Sequence, residues 1–534
     1  MSSQVQHYDY IVVGAGSAGS VIANRLTANG RYRVLVLEAG AKSHYWSPIP
    51  VGFARLIDNP AANWMYDSEP EDSTRGRRIP IPRGKLLGCS SSINGMVFVR
   101  GQSHDFDHWA QLGNRGWSYD DVLPFFRQME SYEGGGDDKL RGRDGPLKVT
   151  VNKETGPLID ALFAASTQAG IPPTDDYNGA AQDGIGITQA TINGGRRMST
   201  AHCYLEPARS RENLVIETHA HAKDLILEGK ACVGVRYFVG DQLREARASR
   251  EVIVSTGSIN SPQLLELSGI GQPEVLRAHG IEVHHELAGV GENLREHYAP
   301  RMKWGIKVRG VTYNDRMRGL GMVREALRYA FGRKGFLALS AAPVRAYFRS
   351  REGLDSPDVG TSFTAFQVGN NYSLHKDPGL TAITHQLRPE SKGSIHLKSA
   401  NARDKPAIRY NFLSDELDRQ VTLAATRITR RIIEAPGLDA FRGLELAPGK
   451  DVQSDDEMLD WVMQTAETTY HPVGTCKMGT DSMAVVDERL RVKGIAGLRV
   501  ADASVMPTLT SGNTNAPSIM IGEKAASMLL EDAQ

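Results

Sequence analysis

Near its C-terminal end the chain carries "HPVGTCKMG", which opens at His471, and "SGNTNAPSIMIGEK", which opens at Ser511. His471 and Asn515 stand 44 positions apart among many turn-forming residues. A histidine titrates near neutrality, so it can accept the hydroxyl proton of an alcohol while hydride leaves the carbon. An asparagine amide donates and accepts, so it can orient the same oxygen. The pair therefore reads as the candidate base and orienting group of a hydride transfer, provided that another group takes the hydride. Plainer roles are open for both. Any of the 15 histidines can belong to the core or the surface, and Asn515, ahead of Ala516 and Pro517, can simply cap a helix. Capping and catalysis are compatible, because a helix starting there turns its positive end toward an anionic ligand.

A hydride acceptor is suggested at the other end of the chain. "YDYIVVGAGSAGSVIANRLTANGRYRVLVLEAG" reads as a buried strand, a glycine turn, a helix and a second buried strand. Gly14 permits the tight turn, Gly16 lets a pyrophosphate approach the backbone, and Gly19 lets the helix lie close to the strand. Glu38, 19 residues after Gly19, ends the second strand, where its carboxylate can accept from both hydroxyls of an adenosine ribose. The unit predicts dinucleotide binding and leaves the choice between NAD and FAD open.

Three further stretches bear on that choice. "PRGKLLGCSSSINGMVFVRG" (82–101) offers many backbone and hydroxyl donors and little core-forming surface, which suits a long polar ligand. "GSINSPQLLELSGIG" (257–271) follows the strand "REVIVSTG" and predicts a serine-capped helix with proline near its first turn. "GLRVADASVMPTLTSGNTNAPSIMIGEKAASMLL" predicts a buried strand ending at Asp502, a long loop and a final helix with Pro517 in its first turn. Together with "VGENLREH" (290–297), these stretches resemble the glucose-methanol-choline (GMC) family of FAD-dependent oxidoreductases, from Tyr8 to about Leu530.

The resemblance implies a mixed α/β fold in which a Rossmann-like FAD-binding domain (1–155, 205–300 and 470–534) interleaves with a substrate-binding cap (156–204 and 301–469). The cap is expected to carry an antiparallel sheet, with strands in "PDVGTSFTAFQV", "LTAITHQLRP" and "GSIHLKSA". The resemblance further implies FAD contacts at Gly14, Gly16, Ser17, Ala18, Gly19, Glu38, Ala39, Arg83, Gly84, Leu87, Gly88, Ser91, Asn94, Gly95, Met96 and Val97. Ala222, Gly257, Asp502, Ala503, Asn515, Ala516 and Pro517 complete that set. His471 and Asn515 match the positions of the family's catalytic pair. Tyr470, Phe363 and Phe366 are candidate walls of an apolar substrate pocket.

Two positions depart from or select within the family pattern. Cys89 stands where the family usually has a second successive glycine, and it reads as a small buried side chain without a catalytic role. Ile93 occupies the position from which a histidine attaches FAD covalently in some relatives, so non-covalent FAD is expected.

The implied activity is oxidation of a neutral primary alcohol, aliphatic or aryl, to an aldehyde, with electrons passed to a quinone-like acceptor or to oxygen. Dehydrogenase is favoured over oxidase. A non-redox hydroxynitrile lyase that retains FAD is the alternative from another class, and a nicotinamide-dependent dehydrogenase or a nucleotide-binding regulator is a weaker one.

Composition narrows the partners. The 62 basic and 62 acidic residues balance, which gives no electrostatic case for nucleic acid. Four scattered cysteines form neither a disulfide framework nor a zinc-ligand pair, so no metal is expected. The N-terminus lacks a signal-peptide pattern, and no run approaches the roughly 18 apolar residues of a spanning helix, so a cytoplasmic location is expected. Residues 301–350 hold twelve Lys or Arg against two acidic residues, including "GMVREALRYAFGRKGFLAL". That segment suggests weak peripheral contact with an anionic inner-membrane surface or docking of a quinone, against the plainer reading of a solvated basic face.

Overall fold

The computed structural model describes residues 6–152, 155–368 and 373–533. The first five residues of the expected leaderless N-terminus lie outside them. Two sheets organise the chain. In the first, Leu214–Thr218, Val34–Glu38, Gln6–Val13 and the end of Gln242–Val254 run parallel in that order, and Leu498–Val500 pairs on beyond. The central strands are nearly continuous apolar runs because both faces are covered, as in "VLVLE", where all five residues are buried. Ala220–Glu228 and Ala231–Val239 extend this sheet as an antiparallel meander.

Register aligns the strand ends. Val13 pairs with Leu37 and Val254, Thr218 with Glu38, and Val254 with Val500. The residues that follow these ends therefore open on one crevice, the usual ligand edge of a parallel sheet. Gly14 leaves its strand at φ +102°, and a Cβ there would lie 2.4 Å from the Ser255 carbonyl oxygen. A Cβ on Gly19 would lie 2.0 Å from the carbonyl oxygen of Gly14, so the first helix, Ser17–Thr27, needs glycine to sit this close. The C-terminal helix, Asn515–Asp532, packs beside it. Glu523, fully buried, takes both Nε and Nη2 of Arg25 at 2.7 Å and the hydroxyl of Tyr204 at 2.9 Å.

The helix Gly257–Leu267 is held differently from the sequence-based expectation. No serine caps it; Asp502 accepts from the Gly257 N–H at 2.9 Å and from the Ser261 hydroxyl at 2.6 Å. Pro262 lies inside the helix and has no N–H to give the Ser258 carbonyl. The Thr475 hydroxyl donates to that carbonyl at 2.6 Å instead.

The second sheet is antiparallel throughout, in the order Arg442–Ala447, Arg301–Ile306, Gly379–Gln386, Val359–Thr364, Val344–Phe348 and Gly184–Ile187. One face packs on the helix Glu416–Glu434 through Val421, Ala425 and Ile432. The expected strand in "GSIHLKSA" forms as Ser394–His396, but it pairs with Ala407–Arg409 in a separate ribbon.

Candidate active site

A single long cavity runs from the crevice of the parallel sheet to the open face of the antiparallel one. At its first end Gly14, Gly16, Ser17, Ala18, Glu38 and Ala39 line it, joined by Ala222, Gly257, Asp502 and Ala503. Arg83, Gly84, Asn94, Gly95, Met96, Val97 and Asn515 continue the wall. Glu38 is buried at the tip of its strand and accepts from the N–H groups of Ala15 and Gly40 at 3.1 and 2.8 Å. The cradle suits a dinucleotide: backbone and small side chains at the turn, with a carboxylate at the neighbouring strand end.

The other expected contacts lie outside the lining. Gly19 serves the helix–strand approach. Leu87 belongs to the apolar core, Gly88 donates its N–H to Ala15, and the Ser91 hydroxyl turns to the Gly88 carbonyl at 2.6 Å. Ala516 and Pro517 are buried within the C-terminal helix, so their sequence neighbourhood to Asn515 does not bring them to the cavity.

Cys89 lines the cavity at φ +43°, the left-handed region that explains a glycine preference at this position. Its thiol donates to Glu38 at 3.2 Å. Burial and the Glu38 carboxylate push the thiol well above its ordinary range, so it stays protonated and unreactive. Ile93 also lines the cavity and offers no atom for covalent attachment.

At the far end stands His471. Tyr470 before it has φ +70°, an unusual conformation for a bulky residue and one that costs about 1–3 kcal/mol unless its surroundings impose it. They do: Arg83 donates to the Tyr470 carbonyl at 2.6 Å, and Glu296 accepts from the His471 N–H with both oxygens, at 2.8 and 2.7 Å. His471 is 7 % exposed.

Its hydrogen bonds fix the tautomer. His297 Nε2 faces the Leu387 carbonyl at 2.9 Å and must donate, which leaves His297 Nδ1 as an acceptor. His471 Nδ1 lies 3.0 Å from that acceptor and 2.7 Å from the Thr469 hydroxyl, so it carries the proton. His471 Nε2 is then the basic atom, and it takes an N–H of the Asn513 amide at 2.8 Å. Burial, then the neighbouring His297, Arg345 and Arg83, hold His471 well below the ordinary histidine range. Burial likewise takes His297 down to about 4. Glu296, His297 and His471 offer ligand atoms within 4.8 Å of one another, but these atoms are already engaged in the hydrogen bonds that orient the imidazole.

The structure thus pairs His471 with Asn513, whereas Asn515 accepts from the Ser17 hydroxyl at 2.8 Å, on the dinucleotide side. The cause is local. Asn515 is the first residue of the C-terminal helix, and Asn513 lies two residues earlier in the loop facing His471. Tyr470 lines the cavity as expected, but Phe363 does not; it is 1 % exposed in the core behind the antiparallel sheet, and Phe366 packs against the same core. The sequence reading also passed over Glu296 and His297, although "VGENLREH" contains both, and over Arg345 and His385, which carry no local motif.

The comparisons with known proteins agree with this geometry. The family models described as GMC oxidoreductase match residues 8–299 and 389–522. The chain is 42% identical over 528 residues to an oxygen-dependent choline dehydrogenase of Brucella melitensis, covering 98% of this chain and 95% of that protein. It is 42% identical over 530 residues to the same-named protein of Pseudomonas fluorescens, covering 98% and 93%. Among solved structures, pyridoxine 4-oxidase from Mesorbium loti superposes with a TM-score of 0.88 at 29% identity over 97% of this chain and 98% of that one. A variant of Aspergillus oryzae formate oxidase gives 0.92 at 26% identity over 99% of both. An α/β dinucleotide-binding fold with a histidine at the end of the cavity is thus a flavoprotein oxidoreductase scaffold, and the chain belongs to the GMC oxidoreductase family. Its cofactor is FAD.

Proposed function

We propose that this protein oxidises a primary alcohol to an aldehyde, with His471 as base and Asn513 as the group that orients the hydroxyl. The observation that carries the reading is the chain of hydrogen bonds from the Leu387 carbonyl through His297 to His471, which leaves Nε2 unprotonated beside the Asn513 amide. Bound FAD supplies N5 as hydride acceptor. His471 Nε2 takes the hydroxyl proton, and the resulting imidazolium keeps its Nδ1–H toward His297 and Thr469. Asn513 holds the oxygen so that the carbon–hydrogen bond is aimed at the acceptor.

In this reading residues 1–155, 205–300 and 470–534 hold the cofactor, and 156–204 and 301–469 shape the substrate side. FAD is held without a covalent link at position 93. The relatives' names join choline with oxygen. Electron transfer to oxygen or to a quinone-like acceptor is compatible with the site. A quinone is favoured by the helix Leu320–Gly332, whose apolar residues face outward and whose chain continues to Ala341 and Ala342 in the cavity wall.

The test is the anaerobic visible spectrum of the holoenzyme with aliphatic, aryl, polyol, amino and carboxylate-bearing alcohols added singly. Bleaching by a primary alcohol, with the aldehyde recovered, is expected. A flavin that none of them bleaches would remove the oxidoreductase reading in favour of a non-redox lyase.

A further inference from the structure

The substrate end of the cavity is walled by one cross-strand row of the antiparallel sheet. Arg345 pairs with Ser362, Ser362 with Ile383, and Ile383 with Arg301. Directly opposed residues share a face, and all four line the cavity. The adjacent row, Val344, Phe363, Ala382 and Met302, faces the core behind. His385, one register step of two residues from Ile383, lies on the cavity face as well.

The charged members of this wall are unequally compensated. Arg301 pairs with Glu467 at 2.6 Å. Arg345 is only 3 % exposed; its Nε donates to the Tyr347 hydroxyl at 2.8 Å and its Nη1 to the Ser362 hydroxyl at 3.0 Å. These partners are neutral, and Nη2 has no hydrogen-bond partner among the described residues. His385, 4 % exposed and 4.7 Å from the His297 ring, has no partner at either ring nitrogen. A buried guanidinium without a counter-charge is costly, and an unsatisfied imidazole beside it adds to the cost. A neutral alcohol offers Arg345 no counter-charge, and a quaternary ammonium would add a like charge.

We propose that Arg345 and His385 form a carboxylate-binding subsite, so that the alcohol oxidised here carries one carboxylate at the end remote from its hydroxyl. The carboxylate accepts from Arg345 Nη2 and from an N–H of His385 once the two side chains turn these covered nitrogens toward the cavity they line, while the hydroxyl lies at His471 and Asn513. A single negative charge matches the one guanidinium of this wall without a counter-charge among the described residues; a phosphate, with nearly two charges, would exceed it. The inference rests on the alcohol-oxidation reading and replaces its uncharged substrate by a hydroxy acid.

The test uses the FAD-loaded holoenzyme and separates binding from turnover. Dissociation constants of butanoate and benzoate, and of the matched butanamide and benzamide, are read from perturbation of the flavin spectrum. At least one carboxylate is expected to bind about tenfold or more tighter than its amide, with the preference lost in Arg345→Gln and partly restored in Arg345→Lys. Retained flavin content shows that each variant is folded. Equal binding of acid and amide by the unaltered enzyme would overturn the subsite. Anaerobic flavin reduction is then compared for 4-hydroxybutanoate against 1,4-butanediol, for 4-(hydroxymethyl)benzoate against 1,4-benzenedimethanol, and for choline. Faster reduction by a hydroxy acid supports the substrate assignment, and faster reduction by the diols or choline overturns it. Arg345-dependent carboxylate binding with no reduction by any alcohol would sink the oxidation reading and leave the subsite standing.

Discussion

At the residue scale the site turns on which atom of His471 is basic and which asparagine faces it. Nδ1 is committed to His297 and Thr469, so in the proposed reaction proton transfer falls to Nε2, where Asn513 already donates. Replacing His471 with alanine should slow flavin reduction at least about a hundredfold with FAD still bound. Asn513→Ala should slow it about tenfold or more. Asn515→Ala, which loses the Ser17 contact, should instead weaken FAD retention and change the reduction rate little. Stopped-flow reduction of the three variants checks this, and a larger rate loss in Asn515→Ala than in Asn513→Ala would return the orienting role to Asn515. The pH profile follows from the same geometry. Burial, then the nearby positive groups, keep the imidazole below its usual range, so its base form persists down through mildly acidic pH. Flavin reduction should be level from pH 6 to 9, subject to the substrate's own ionisation, and a rise with a midpoint above 7 would contradict a pre-neutralised base. This pairing was half legible in the sequence. "SGNTN" holds two asparagines two positions apart, and a loop has no periodicity that says which one faces inward.

At the element scale the histidines set opposite pH limits on stability. His297, His385 and His471 are all depressed by burial, so the unfolded chain binds protons that the folded one refuses. Each contributes a loss of stability as pH falls below about 6.5, which for His297 runs down to about 4, with a slope of at most about 1.4 kcal/mol per pH unit for each group. His396 has the reverse sign. Burial lowers it, but its contacts with Glu266 at 2.7 Å and Glu292 at 3.1 Å outweigh that and raise it to about 9. Its contribution is complete below about 6.5 and is lost as pH rises through about 9. It ties the helix Gly257–Leu267 to the ribbon Ser394–His396 and to the segment that continues to Glu296 and His297. His396→Gln should flatten the alkaline decline of holoenzyme stability while leaving the part set by the depressed histidines. An unchanged alkaline limb in that variant would show that the clamp contributes nothing. What the sequence made legible at this scale was local: the glycine turn, the helix behind it and Glu38 lie within one short unit. The sheet-side wall of the cavity was not legible, because Arg345, Ser362, Ile383 and Arg301 come from four separated strands. Shifting a strand by one residue exchanges its faces, and that is why Phe363 read as a pocket wall while Ser362 holds the position.

At the scale of the whole molecule one helix is built against the usual rule. Leu320–Gly332 turns Glu325 and Tyr329 inward, where Glu325 pairs with Arg328 at 2.8 Å and Tyr329 donates to the Gly195 carbonyl at 3.0 Å. Its apolar stripe faces out: Leu320 and Phe331 are each 87 % exposed, with Val323 and Leu327 between them. Arg318, Arg324, Arg333 and Lys334 are exposed around it. No helix among the described residues is long and apolar enough to cross a membrane, so such a surface would lie on a bilayer rather than span it. Burying large apolar side chains is worth roughly 1.5 kcal/mol or more each, and each basic group near an anionic surface adds about 1 kcal/mol that salt screens. Co-sedimentation with vesicles containing anionic phospholipid is therefore expected at low salt, weakened but still detectable at high salt. Leu327→Glu combined with Phe331→Glu should abolish it while leaving flavin reduction by the alcohol intact, because both side chains point away from the cavity. Absence of co-sedimentation at low salt would retire the membrane contact, and with it the main structural support for a lipid-soluble acceptor over oxygen.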